Sequence, residues 1–312
     1  MTKKKLFLVT GGAGFIGSNV VEKLVSIGHR VRVIDNFATG RRENIEPLMS
    51  SITFLEDDIN NRNAVKDIMD GVDVVIHTAA IPSVQRSVED PTLSNHANVS
   101  GTLNLLNIAR ELKVKRFVYS ASSSAYGDTP VLPKVETMQP NPKSPYATSK
   151  YVGELYCRNF YDLFGLETIS LRYFNVFGPR QDPASHYAAV IPKFIMELLR
   201  GDEPIIYGDG EQTRDFTYIE NVIRANILAS ESPVVRGESI NIACGENCSL
   251  NKLLDILQKI IGTNIKPRFK DMRLGDVRDS LADITLARKL IGYEPVVYLK
   301  EGLEHAVEWY RQ

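Results

Sequence analysis

Thr10-Gly11-Gly12-Ala13-Gly14-Phe15-Ile16-Gly17 decides the fold of this 312-residue chain. The apolar run Leu6–Thr10 before it is too short for a helix and reads as a strand. Ile16–Ile27 behind it carries apolar residues at helical spacing. Glycines at a strand–turn–helix junction permit a tight turn and let a diphosphate approach the backbone closely. Gly11, Gly14, Phe15, Ile16 and Gly17 are therefore expected to cradle a dinucleotide against free N–H groups at a helix N-terminus. Asp35 closes the next strand, about 20 residues on, where a carboxylate holds the ribose 2′-hydroxyl. Its charge would repel a 2′-phosphate, so it favours NAD over NADP, although Arg41 and Arg42 stand close by.

The same alternation continues outward. Val31–Ile34, Ile52–Leu55, Val72–His77, Arg116–Ser120 and Leu166–Arg172 read as further strands, with helical patterns over Asn61–Met69 and Leu93–Leu112 between them. Ser144-Pro145, a capping hydroxyl and a proline at the first helical position, opens a helix reaching about Phe164. The pattern predicts an α/β fold: a doubly wound parallel sheet of Rossmann type, with ligands beyond the carboxyl ends of its strands. After Asn175 the rhythm loosens into shorter strands (Ile205–Tyr207, Ser239–Ile242) and helices at Ile191–Leu199, Leu250–Ile261 and Leu299–Tyr310. A dinucleotide-binding unit over 1–175 is expected, with segments near 215–243 returning to it. A smaller mixed α/β lobe, mainly 176–312, is expected to take the substrate.

A formal net charge of -1 gives no global field for nucleic acid or an anionic membrane. Lys3-Lys4-Lys5 before Leu6–Val9 superficially resembles a secretion signal. The apolar run stops at the glycines with no cleavage site, and no stretch approaches the ~20 apolar residues of a membrane span. Cys157, Cys244 and Cys248 form neither a disulfide framework nor a zinc pattern, so no metal is expected and a reduced, cytoplasmic protein fits.

Tyr146 and Lys150 lie four apart on one predicted helix and share a face. A free phenol, with pKa near 10, is a poor base at neutral pH. A neighbouring ammonium, the helix N-terminus and an oxidised nicotinamide would each favour phenolate. Ser122 follows the strand Arg116–Ser120, where a hydroxyl can hydrogen-bond a substrate oxygen. Together with a dinucleotide fold, these residues point to hydride chemistry on an alcohol, with Tyr146 as acid and base.

On these motifs, together with Asp35-Asn36, Asp58-Ile59, His77 through Ala80, Asn98, Ser122 through Gly127, Arg172 through Asn175, Gly208-Asp209-Gly210, Arg214-Asp215 and Gly275-Asp276, the chain resembles the extended short-chain dehydrogenases/reductases over nearly its whole length. Within them it is most similar to the nucleotide-sugar 4-epimerases. The resemblance implies an NAD-using isomerase with Tyr146, Lys150 and Ser122 as its catalytic set. It implies cofactor contacts from Asn36, Asp58, Ile59, Thr78, Ala79, Ala80 and Tyr173, with Asn98 a polar group behind them, and no proton-transfer role for His77. Ser83, Ser123, Asn175, Ala189, Val190, Arg214, Arg273 and Ser280 are implied on the substrate side, Asn175 toward diphosphate or sugar. The family's dehydratases and decarboxylases carry an acidic residue beside the active-site serine; Ser122-Ser123-Ser124 has none, which favours simple epimerisation. Ser280 stands where galactose-type epimerases often carry a tyrosine that crowds a 2-acetamido group. The expected substrates are thus UDP-GlcNAc and UDP-GalNAc, with UDP-Glc and UDP-Gal as a further pair and UDP-glucuronate as the runner-up. The family also implies a homodimer through Leu93–Leu112 and Ser144–Phe164, with Val152, Leu155, Phe160 and Leu163 as an apolar stripe, although the same residues would serve an internal core.

Overall fold

In the computed structural model, which describes residues 4–183, 189–233, 235–271 and 278–312, apolar strands are sandwiched between helical layers. β1 (Leu6–Thr10), β2 (Arg30–Asp35), β3 (Thr53–Glu56), β4 (Val74–His77), β5 (Arg116–Ser122) and β6 (Glu167–Tyr173) join with Ser239–Ile242 in one sheet. The order is Ser239–Ile242, β6, β5, β4, β1, β2, β3, and every pairing is parallel. All five β1 residues are buried because the strand feeds two cores. Phe7 and Val9 face one helical layer, and Leu6 and Leu8 the other. Strand order reverses where β1 is flanked by β2 and β4, which opens a crevice at their carboxyl ends.

The helix Pro145–Phe164 starts as its sequence dictates, with Ser144 Oγ accepting the Ala147 N–H at 3.1 Å. The expected helix Leu93–Leu112 is present and continuous, running through Pro91–Asn95, a π-helical turn over His96–Ser100, and Gly101–Glu111. The wide turn aims Asn98 inward, where its side chain holds both the N–H and the carbonyl of Ile81. Helices at Val84–Glu89, Ile219–Glu231 and Thr285–Ile291 are additions to the sequence reading. Ser239–Ile242 pairs with β6, and Ile219–Glu231 packs against the helix Phe15–Ser26. Of the apolar stripe, Phe160 is buried in the core, whereas Leu155 and Leu163 are 45% and 73% exposed.

Candidate active site

A cleft of about 810 Å³ lies over the crevice. Its floor is the glycine turn: Gly11, at φ +69°, donates its N–H to Ile34 O, and Gly14 donates back to Gly11 O. A Cβ on Gly11 would stand 2.6 Å from the Ala79 backbone, and one on Gly17 2.1 Å from Gly11 O. These two glycines therefore let the helix seat on the sheet. Gly14 differs, since its Cβ would meet only Gly11 O, at 3.2 Å, and would otherwise occupy the cleft. Gly14 is also the N-cap of Phe15–Ser26 and brings no side-chain cap. The first-turn N–H groups thus face the cleft without intrahelical acceptors, as an anionic diphosphate requires.

Asp35 is nearly buried, and its carboxylate accepts the N–H groups of Ala13 (2.9 Å) and Phe37 (2.8 Å). Burial raises its pKa, and these two bonds oppose the rise. Its outer lone pairs suit ribose hydroxyls. Arg41 is engaged with Asp182 at 2.7 Å. Arg42 is engaged with Glu56 at 2.7 Å and stacks over Phe37, so both guanidinium groups are already committed to protein partners. That arrangement fits NAD. Asn36 donates to Asp58 at 2.7 Å, while Asn60 donates twice to the other Asp58 oxygen. Burial pushes the Asp58 carboxyl up, but these hydrogen bonds hold it below its ordinary value. Ile59, Thr78, Ala79, Ala80 and Tyr173 complete this part of the lining.

Tyr146 and Ser122 meet at the cleft wall, from the first turn of Pro145–Phe164 and the end of β5. Burial raises the Tyr146 pKa, and the neighbouring Ser122 hydroxyl lowers it. Ser124, rather than Ser123, supports Ser122: its hydroxyl donates to Ser122 Oγ at 2.8 Å and its N–H at 3.2 Å. Lys150 lies behind the wall, where its ammonium donates to Ser120 O at 2.8 Å and sits 5.1 Å over the Tyr119 ring. Burial pulls its pKa down to about 8, with Glu154 opposing. The phenol is tuned by burial against Ser122.

His77 is fully buried and far from titrating near neutrality, because burial and the Lys150 charge both lower its pKa. Thr102 donates to Asn98 O at 2.6 Å, so it accepts from His77 Nε2–H; Thr10 Oγ1 lies 2.7 Å from Nδ1. The imidazole thus joins β1, β4 and the helix Gly101–Glu111. Asn98 continues the chain to Ser149 and stays out of the cleft.

Ser83, Asn175 and Ala189 line the same cleft. Asn175 and Ala189 also border a second cavity of about 280 Å³, with Val190, Arg214, Phe194 and Tyr207. Arg214 is braced by Thr213 O and Arg278 O, at 2.9 and 2.8 Å. Ser280 stands beside the junction, accepting from Asn175 Nδ2 at 3.1 Å. Arg273 and Gly275-Asp276 lie outside the described residues. Two groups with no role of their own in the sequence reading also stand here. Arg180 lines the cleft and pairs with Glu22 at 2.8 Å. Ser87 is fully buried, accepts the Tyr146 N–H at 3.0 Å and donates to Val84 O at 2.6 Å. No motif marks Ser87; only the fold brings its short helix against the Tyr146 turn.

The profile of the NAD dependent epimerase/dehydratase family matches residues 7–243. The UDP-glucose 4-epimerase of Thermotoga maritima, solved with UDP-glucose, is 42% identical, with 98% of each chain covered and a TM-score of 0.94. The UDP-N-acetylglucosamine 4-epimerase of Methanobrevibacter ruminantium, solved with UDP-N-acetylmuramic acid, is 40% identical, with 99% of each chain covered and a TM-score of 0.95. The UDP-glucose 4-epimerase of Mycolicibacterium smegmatis is 38% identical over 97% of this chain and 98% of its own. With a profile match over most of its length and relatives aligned end to end, the chain belongs to the NAD dependent epimerase/dehydratase family.

Proposed function

We propose that the protein is an isomerase that inverts C4 of a UDP-hexose, with UDP-GlcNAc and UDP-GalNAc as its favoured pair. The observation that carries the reading is the Tyr146–Ser122 pair on the wall of a dinucleotide cleft that adjoins a second cavity. The glycine turn, Asp35 and the Asp58–Ile59 side would hold NAD, whose nicotinamide would supply reversible hydride chemistry at C4. Ser122 orients the 4-hydroxyl and Tyr146 removes its proton. Once the 4-keto sugar has turned over, Tyr146 returns that proton to oxygen on the inverted centre. Lys150 fixes the end of β5 through Ser120 O and places positive charge behind the wall. Val190 and Arg214 are assigned to the nucleotide diphosphate, and Ser83, Asn175 and Ser280 to the sugar side.

A small residue at 280 supports the acetamido preference, and so does its position: Ser280 contacts Asn175 where the two cavities join. Separate incubation with UDP-GlcNAc, UDP-Glc and UDP-glucuronate, followed by NMR of the C4 epimers, tests it. Conversion of UDP-GlcNAc is expected to be the most efficient. Ser280→Tyr is expected to lower that efficiency by roughly 10- to 100-fold while sparing UDP-Glc, the cost of overfilling a packed site. Exclusive turnover of UDP-glucuronate would overturn the substrate assignment.

We propose in addition a homodimer through the helix Pro145–Phe164, supported by the outward Leu155, Leu163 and Phe164. Light scattering at micromolar concentration is expected to give twice the chain mass, and Leu163→Glu to give monomer. A wild-type monomer would refute it.

A further inference from the structure

Asp215 is completely buried and follows Arg214, on the wall of the smaller cavity. One carboxylate oxygen accepts the Cys244 N–H at 3.0 Å; the other accepts those of Gly245 at 3.1 Å and Ala282 at 3.2 Å. Its own main chain is equally committed. Asp215 O accepts from Asn175 Nδ2 at 2.9 Å, and Asp215 N–H points to Ser280 Oγ at 3.4 Å. One residue therefore fastens three segments: the turn after β6, the chain leaving Ser239–Ile242, and residues 280–282. Asn175 sits at φ +34°, a conformation that persists in a non-glycine residue only where surroundings over-determine it. The bonds to Asp215 and Ser280 are that restraint, and Asn175 borders both cavities.

We infer that Asp215 is a positioning residue for the UDP-sugar: it holds Asn175 and Ser280 at the junction of the two cavities, so its loss weakens substrate binding and leaves the chemistry at Tyr146 in place. The inference rests on the functional reading above. Burial pushes the carboxyl up to about 7 against the three N–H bonds, and Glu246 adds to the rise. The intact junction therefore binds a proton more tightly than a solvated carboxyl would, so falling pH does not open it. The other titratable groups facing it, the Cys244 thiol and the Tyr293 phenol, are themselves raised and stay neutral.

The test is steady-state kinetics on UDP-GlcNAc for wild type, Asp215→Asn and Asp215→Glu. Asp215→Asn is expected to raise KM about tenfold and change kcat less than about twofold. A folded variant with wild-type KM, or a loss confined to kcat, would overturn the inference. Should that variant not fold, Asp215→Glu decides, since one added methylene displaces the carboxylate from its three N–H donors: a wild-type KM overturns it. A wild type that epimerises no UDP-hexose overturns the functional reading, and this inference with it.

Discussion

Tyr146→Phe is expected to lower kcat by roughly a thousandfold, the upper part of the range for losing a positioned acid–base group. Phenylalanine keeps the ring and loses only the oxygen that meets Ser122. Stability and NAD affinity should therefore stay near wild type, which separates chemistry from folding. The pH dependence has a definite sign. Burial raises the phenol pKa, so the fraction of phenolate, and with it kcat, should climb with pH through neutrality. The climb should turn near pH 8, where Lys150 loses its proton, because the positive charge behind the wall disappears. A purified, NAD-loaded Tyr146→Phe protein with wild-type turnover would remove Tyr146 from the mechanism and leave the site without its acid and base.

The strands and the glycine turn were legible because their signals are local. β1 runs over the expected Leu6–Thr10, and close packing demands glycine at Gly11 and Gly17. Tyr146, Ser122 and Asp35 fell into one cleft because strand ends and helix starts share one edge of a parallel sheet. What was not legible depends on contacts distant in sequence. Lys150 shares a helix with Tyr146, yet its ammonium is drawn to a strand carbonyl thirty residues earlier. Ser87 reaches the Tyr146 N–H across 59 positions. Asn98 faces inward only because a π turn rotates that part of the helix, and apolar periodicity does not foresee such a turn. Phe160 and Leu163 look alike in the periodic pattern, but only the packing of Pro145–Phe164 on the sheet assigns one to the core and the other to the surface.

Gly17→Ala is expected to abolish measurable NAD binding, a loss of at least about a hundredfold, and to lower stability by about 1–3 kcal/mol. The added Cβ would lie 2.1 Å from Gly11 O, 2.8 Å from Gly11 C and 2.8 Å from Thr78 Oγ1. None of these is the free end of a flexible side chain. Gly11 O already accepts the Gly14 N–H at 3.0 Å, Gly11 N–H is spent on Ile34 O, and Thr78 Oγ1 donates to Thr10 O at 2.7 Å. Relief therefore requires the helix Phe15–Ser26 to retreat from the sheet, carrying its first-turn N–H groups away from the diphosphate position. Gly14→Ala provides the control in the same turn. Its Cβ meets only Gly11 O, at 3.2 Å, so the fold should be nearly unchanged while the methyl group occupies cleft space. Calorimetric NAD titration of cofactor-stripped proteins, paired with thermal unfolding, distinguishes the two glycines. Gly17→Ala should lose both binding and stability, Gly14→Ala binding alone. Wild-type affinity in Gly17→Ala would mean that the dinucleotide does not depend on this seating of helix on sheet.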